Sequence, residues 1–158
     1  MDSEKTTTSF DEDLNTGHRA EEYVLSELKK EFPNLKRVYG MSLHCDLKDD
    51  SGYTVEVKYD IRSRTSENVA IEYRHRGKLS GISISRAMEW VIIYFLKGTG
   101  WVYTRVKTND LRAFLKNNQQ YFQKYKGSGD KSDLILVNTT LLATHLSYKK
   151  ILIPIDNV

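Results

Sequence analysis

A chain of 158 residues, 39% hydrophobic and 28% charged, is long enough for one globular domain with its own core and too short for a second. Its one cysteine, Cys45, excludes an intramolecular disulfide. No Cys/His cluster has zinc-ligand spacing, and the longest apolar run, Val91 to Leu96, is far too short to span a membrane, so a soluble, cytoplasmic protein is expected. The formal charge of +3 is uneven: residues 1–15 hold −4 and the rest +7, a basic body that suits a polyanionic partner.

Residues 1–14 are rich in Thr, Asp and Glu and read as a flexible acidic tail, which leaves 15–158 as the single domain. From Gly17 the pattern is helical: Thr16 reads as the N-cap, Ala20, Val24, Leu28 and Phe32 recur on one face, and Pro33 closes the run. Short strands are expected at Arg37 to Gly40 and Leu43 to Leu47, then a hairpin turn at Asp49-Asp50-Ser51-Gly52. Tyr53 to Tyr59 reads as a strand whose alternation puts Tyr53, Val55 and Val57 on one face and Thr54, Glu56 and Lys58 on the other. Further strands are expected at Val69 to Tyr73, neighbouring that one, and at Trp90 to Leu96 and Trp101 to Val106 about a Gly98-Thr99-Gly100 turn. Leu134 to Val137 and Lys150 to Ile153 are late strands. Ser83 to Glu89 reads as a short helix. Thr108 opens another through Leu111, Phe114 and Leu115, continuing as a second one to Tyr125, with a mobile linker at Lys126 to Lys131. The fold class is therefore α/β, a central mixed sheet flanked by helices.

The chemistry concentrates in Asp46, Glu56 and Lys58. Phosphodiester hydrolysis needs oxygen ligands for a hard divalent cation, an attacking water, and positive charge near the developing phosphorane. Asp46 and Glu56, on paired strands, can meet across the turn, and Lys58 lies one side chain further along the same face, where it could orient water or stabilise charge. The next interval, Arg62 to Lys78, carries Arg62, Arg64, Arg74, Arg76 and Lys78 against Glu67 and Glu72, a composition suited to contact with a phosphate backbone. Arg86 is a further candidate phosphate contact as a forked donor. Glu72 reads either as an additional acidic site residue or as the partner of an arginine. Trp90 reads as a core residue. The four histidines lack metal-finger spacing, no Walker-type loop is present, and no tyrosine stands in a covalent-catalysis context.

Gly17-His18-Arg19-Ala20-Glu21 opening a helix, then His44-Cys45-Asp46, then Val55-Glu56-Val57-Lys58, resembles the ordered core of the PD-(D/E)XK nucleases. The helix opening is similar to that of archaeal-type Holliday junction resolvases. The resemblance spans about residues 16–60 and departs from the loose Pro-Asp pattern at Cys45-Asp46. It implies a restriction-endonuclease-like core and a Mg2+- or Mn2+-dependent endonuclease. Glu21, Asp46 and Glu56 would be the metal ligands, with Lys58 catalytic. DNA is favoured over RNA as the partner, with no membrane association, and a phage or mobile element would suit a small stand-alone nuclease. Two alternatives are carried forward: a catalytically silent nucleic-acid-binding or protein-interaction module on the same fold, and a homodimeric structure-specific junction resolvase.

Overall fold

In the computed structural model, which describes residues 9–39, 45–127 and 131–152 and side chains from Gly17 onward, the amphipathic run forms helix α1 (Ser9–Leu28). Ala20, Val24 and Leu28 are buried along one face, as their spacing of four requires. The helix begins upstream of the expected start, so Thr16 lies inside it and is not the cap. Residues 1–8 of the expected acidic tail lie outside the described residues, while 9–14 are helical. The helix ends at Leu28. Phe32 follows in a turn and stacks on Tyr53, ring centroids 3.9 Å apart.

The strands and helices that follow are β1 (Lys36–Arg37), β2 (Leu47–Lys48), β3 (Thr54–Tyr59), α2 (Ser63–Ser66), β4 (Asn68–His75), β5 (Lys78–Leu79), β6 (Glu89–Leu96), β7 (Gly100–Lys107), α3 (Thr108–Asn117), β8 (Gln123–Tyr125), β9 (Ser132–Asn138), α4 (Thr139–His145) and β10 (Lys149–Lys150). One sheet runs β1-β2-β3-β6-β7-β10 and is mixed, because β3 and β6 are parallel while its other pairs are antiparallel. A second sheet, β5-β4-β9-β8, is wholly antiparallel.

The two faces of the mixed sheet bury different clusters. Val55, Val91 and Ile93 pack against Ala20, Val24 and Leu28 of α1. Trp90, Ile92 and Tyr94 face the other way, against Val69, Ile71 and Val137 of the second sheet, Leu111, Phe114 and Leu115 of α3, and Leu142 of α4. The α/β class with a mixed sheet is as expected, with α1 on one face and α3 and α4 on the other, where a second sheet joins them. The alternation of β4 sends Val69 and Ile71 into that face, and Val137 of β9 joins them.

Three further expectations are corrected. Ser83 to Glu89 is not a helix: a short 3-10 turn (Gly81–Ser83) leads into extended chain, where the Met88 N–H bonds the Thr54 carbonyl and the Ala87 carbonyl accepts from the Thr108 hydroxyl at 2.5 Å. No second helix reaches Tyr125. The chain leaves α3 at Asn118, whose side chain caps the Phe114 carbonyl at 2.8 Å, and returns as strand β8. Finally, β4 belongs to the second sheet, and the neighbours of β3 are β2 and β6. The 98–100 turn joins β6 to β7 as expected, and Trp90 is buried. The late strand β10 pairs with β7, and Gly40 to His44, residues 128–130 and Ile153 lie outside the described residues. Among the described residues no helix is long and apolar enough to cross a membrane.

Candidate active site

The β2–β3 hairpin is closed by its own turn chemistry. An Asp49 carboxylate oxygen accepts from the Ser51 and Tyr53 amides and from the Ser51 hydroxyl, and Gly52 takes φ +95°, a left-handed conformation that costs glycine little. Past Leu47 the β2 ladder is continued by Asp46. Its amide bonds the Val55 carbonyl at 2.9 Å, its carbonyl accepts the Val38 amide at 2.8 Å, and its carboxylate Oδ2 accepts the Val57 amide at 2.8 Å. A side chain thus takes the place of a ladder partner, and the Asp46 carboxylate is fastened beside Glu56 and Lys58.

Strand alternation brings Glu56, Lys58 and Asp60 to one side of β3. The middle of α1 supplies Gly17, Ala20 and Glu21. Together with Asp46, Arg62, and Ala70 and Leu134 from the second sheet, they line a cleft of about 530 Å3. Four carboxylates and one lysine therefore share a single concavity.

Its electrostatics are unfavourable to its own charges. Burial raises the Glu56 pKa to about 7, with the Asp46 and Glu21 charges adding to the shift and Lys58 opposing it. Burial also raises the Asp46 pKa to about 6. The Val57 amide opposes that shift, Glu21 adds to it and Arg37 opposes it. Carboxylates that resist ionisation in a cleft are a recurrent property of sites where a cation or a proton transfer completes the balance. Next to them the Cys45 thiol, buried, is pushed upward, so it is not a thiolate nucleophile.

Glu21 is held by Arg37: one carboxylate oxygen accepts from Nη2 at 2.8 Å and from Nε at 3.2 Å. Glu22 turns outward and meets the same guanidinium at 3.5 Å. Among the described residues no three His, Cys, Asp or Glu side chains converge closely enough to hold a metal ion. Arg37 engages Glu21, and the Val57 amide occupies one oxygen of Asp46. The donor set is nonetheless all oxygen, the chemistry of Mg2+ or Mn2+ rather than of zinc or copper.

The remaining predicted residues divide. Arg62 lines the cleft, while Arg64 lies over the Phe95 ring, 5.7 Å from its centroid. Arg74, Arg76 and Lys78 stand exposed on the β4–β5 hairpin, and Arg86 is exposed beside the start of α3. Glu72 is outside the cleft lining; its carboxylate accepts from the Ser132 hydroxyl and lies 3.9 Å from His75 Nδ1, so its partners are not arginines.

Two features escaped the sequence reading. Asp60 is buried, and its Oδ2 accepts the Ala70 amide at 2.8 Å, tying the end of β3 to the second sheet; the period of two that paired Glu56 with Lys58 extends to it. Arg105 bridges Glu89 and Glu31 at 2.5 and 2.6 Å, with Tyr53 donating to Glu89 at 2.6 Å. These residues come from four separate segments, and no local spacing announces them. Comparison of the chain with protein-family models and with curated proteins found no match to either.

Proposed function

We propose that this protein is a metal-dependent endonuclease of the PD-(D/E)XK class, hydrolysing phosphodiester bonds in DNA in preference to RNA. The observation that carries the reading is that Asp46, Glu56 and Lys58 line one cleft with Glu21 from α1, burial pushing two of the carboxylates up to about 6 and about 7. A mixed sheet with α1 preceding the β2–β3 hairpin supports a restriction-endonuclease-like core.

Asp46 and Glu56 would hold Mg2+ or Mn2+, and Glu21 would join them on release from Arg37. The cation would supply charge neutralisation at the phosphate and a lowered pKa for a water molecule. Lys58 sets the attacking water in line and offsets charge on a nonbridging oxygen, from a position fixed by the pairing of β3 with β6. Asp60, fastened to Ala70, holds the end of that strand in place. Arg62 meets the phosphate backbone at the mouth of the cleft. Cleavage of plasmid DNA in Mn2+, absent in EDTA and absent in Lys58→Ala, tests the proposal.

A second reading, a binding module without catalysis, is favoured by the commitment of Glu21 to Arg37. It predicts DNA binding with no cleavage in any divalent cation.

A further inference from the structure

The β4–β5 hairpin turns in two residues, Arg76 and Gly77, both at positive φ, +51° and +74°. Two-residue hairpin loops of this sign favour Asn-Gly or Asp-Gly, and a left-handed arginine carries a conformational cost. Strain of this kind tends to persist where the side chain has work to do. Around it Arg74, Arg76 and Lys78 are exposed, and among the described residues no carboxylate pairs with any of the three. The hairpin tip is thus a patch of uncompensated positive charge.

Its distance from the cleft follows from the strand. Ala70 lines the cleft and Arg76 lies six residues further along a strand that is bulged between Glu72 and Arg74, which at a rise of about 3.3 Å per residue places the tip at most about 20 Å away. A turn of B-form DNA is about 34 Å, so the tip falls within about half a turn, about five base pairs, of a phosphate seated in the cleft. A two-stranded ribbon is narrow enough to enter the major groove.

Resting on the nuclease reading above, we propose that the β4–β5 hairpin is a duplex clamp. It engages the double helix within about half a turn of the scissile phosphate, and the substrate is duplex DNA long enough to reach it. Arg76 and Lys78 are its principal phosphate contacts.

The test uses the full chain and a series of duplexes from about 6 to about 24 base pairs, cleaved in Mn2+, with Arg76→Asn and Lys78→Ala beside the wild type. Asn suits the left-handed turn, so Arg76→Asn keeps the hairpin and raises Tm. Wild type should cut duplexes that reach the tip at least about tenfold faster than shorter ones, and both variants should lose that advantage, cutting the long duplexes no faster than the wild type cuts the shortest. Undiminished cleavage of long duplexes by both variants would overturn the clamp. Should the wild type cut nothing, the nuclease reading fails alone, and binding of the same duplexes in EDTA decides the clamp. A length preference lost in the variants, with a salt slope shallower by about one, supports it, and equal binding by all three overturns it.

Discussion

The carboxylate of Asp46 accepts the backbone amide of Val57 at 2.8 Å, so a candidate metal ligand also stands in for a missing strand partner. The two roles separate by substitution. Asp46→Asn keeps an acceptor oxygen for the Val57 amide and should retain most of the wild-type stability. Asp46→Ala orphans that amide and should cost about 1–3 kcal/mol relative to Asn, read by urea unfolding. Equal stabilities for Asn and Ala would show that the bond contributes nothing.

Glu56 carries a folded-state pKa raised from 4.5 to about 7. Because the folded state binds the proton more tightly than the unfolded one, this group's contribution to stability is full below pH 4.5 and is lost as pH rises through 7. Glu56→Gln should therefore match wild type near pH 4.5 and exceed it at pH 8 by on the order of 2–3 kcal/mol. Thermal unfolding across that range checks the sign, and a variant less stable than wild type at pH 8 would refute it.

A divalent cation that binds the cleft relieves the same repulsion. Mn2+ or Ca2+ at about a hundredfold excess over its Kd should stabilise the wild type by about 2.7 kcal/mol, and Glu56→Gln should show little of this. Binding must displace protons from Asp46 and Glu56, so affinity should rise between about pH 5 and pH 8. Calorimetry in two buffers of different ionisation enthalpy measures the protons released. A pH-independent affinity would place the cation elsewhere.

Gly81 fixes how the second sheet meets the chain leading to β6. It sits at φ +52°, and a Cβ there would lie 2.2 Å from the Glu72 carbonyl oxygen. Gly81→Ala should destabilise by at least about 2 kcal/mol, since neither the backbone angle nor the contact admits a methyl group. A loss under about 0.5 kcal/mol would show that the contact relaxes.

What the sequence makes legible is what its local periodicity encodes. The α1 stripe at Ala20, Val24 and Leu28, the Asp49 to Gly52 turn, the β3 alternation and the β6–β7 hairpin all follow from spacings within one or two elements. The second sheet does not, because the pairing of β4 with β9 joins Val69 to Val137 across a separation that no pattern marks. Of its strands, β4 and β9 read correctly as strands while their pairing stayed hidden; β5 carries no strand signal, and β8 falls where a second helix is expected. The Ser83 to Glu89 segment shows the same limit from the other side: its serines suggest a cap, yet the Met88 and Thr108 bonds that hold it extended are tertiary. Asn138, whose side chain accepts from the Thr140 and Leu141 amides to open α4, was a readable cap that the sequence reading passed over. Within the cleft, Glu56 and Lys58 follow from alternation. The Arg37 hold on Glu21 depends on a fold contact that sequence does not reveal.

The central claim is tested most directly by cleavage of supercoiled, linear, single-stranded and branched DNA by wild type and Lys58→Ala, each in Mn2+ and in EDTA. Cleavage of at least one substrate by wild type in Mn2+, lost in EDTA and reduced at least about a hundredfold by Lys58→Ala, is the predicted result. Equal cleavage by the two proteins, or cleavage that survives EDTA, would contradict it.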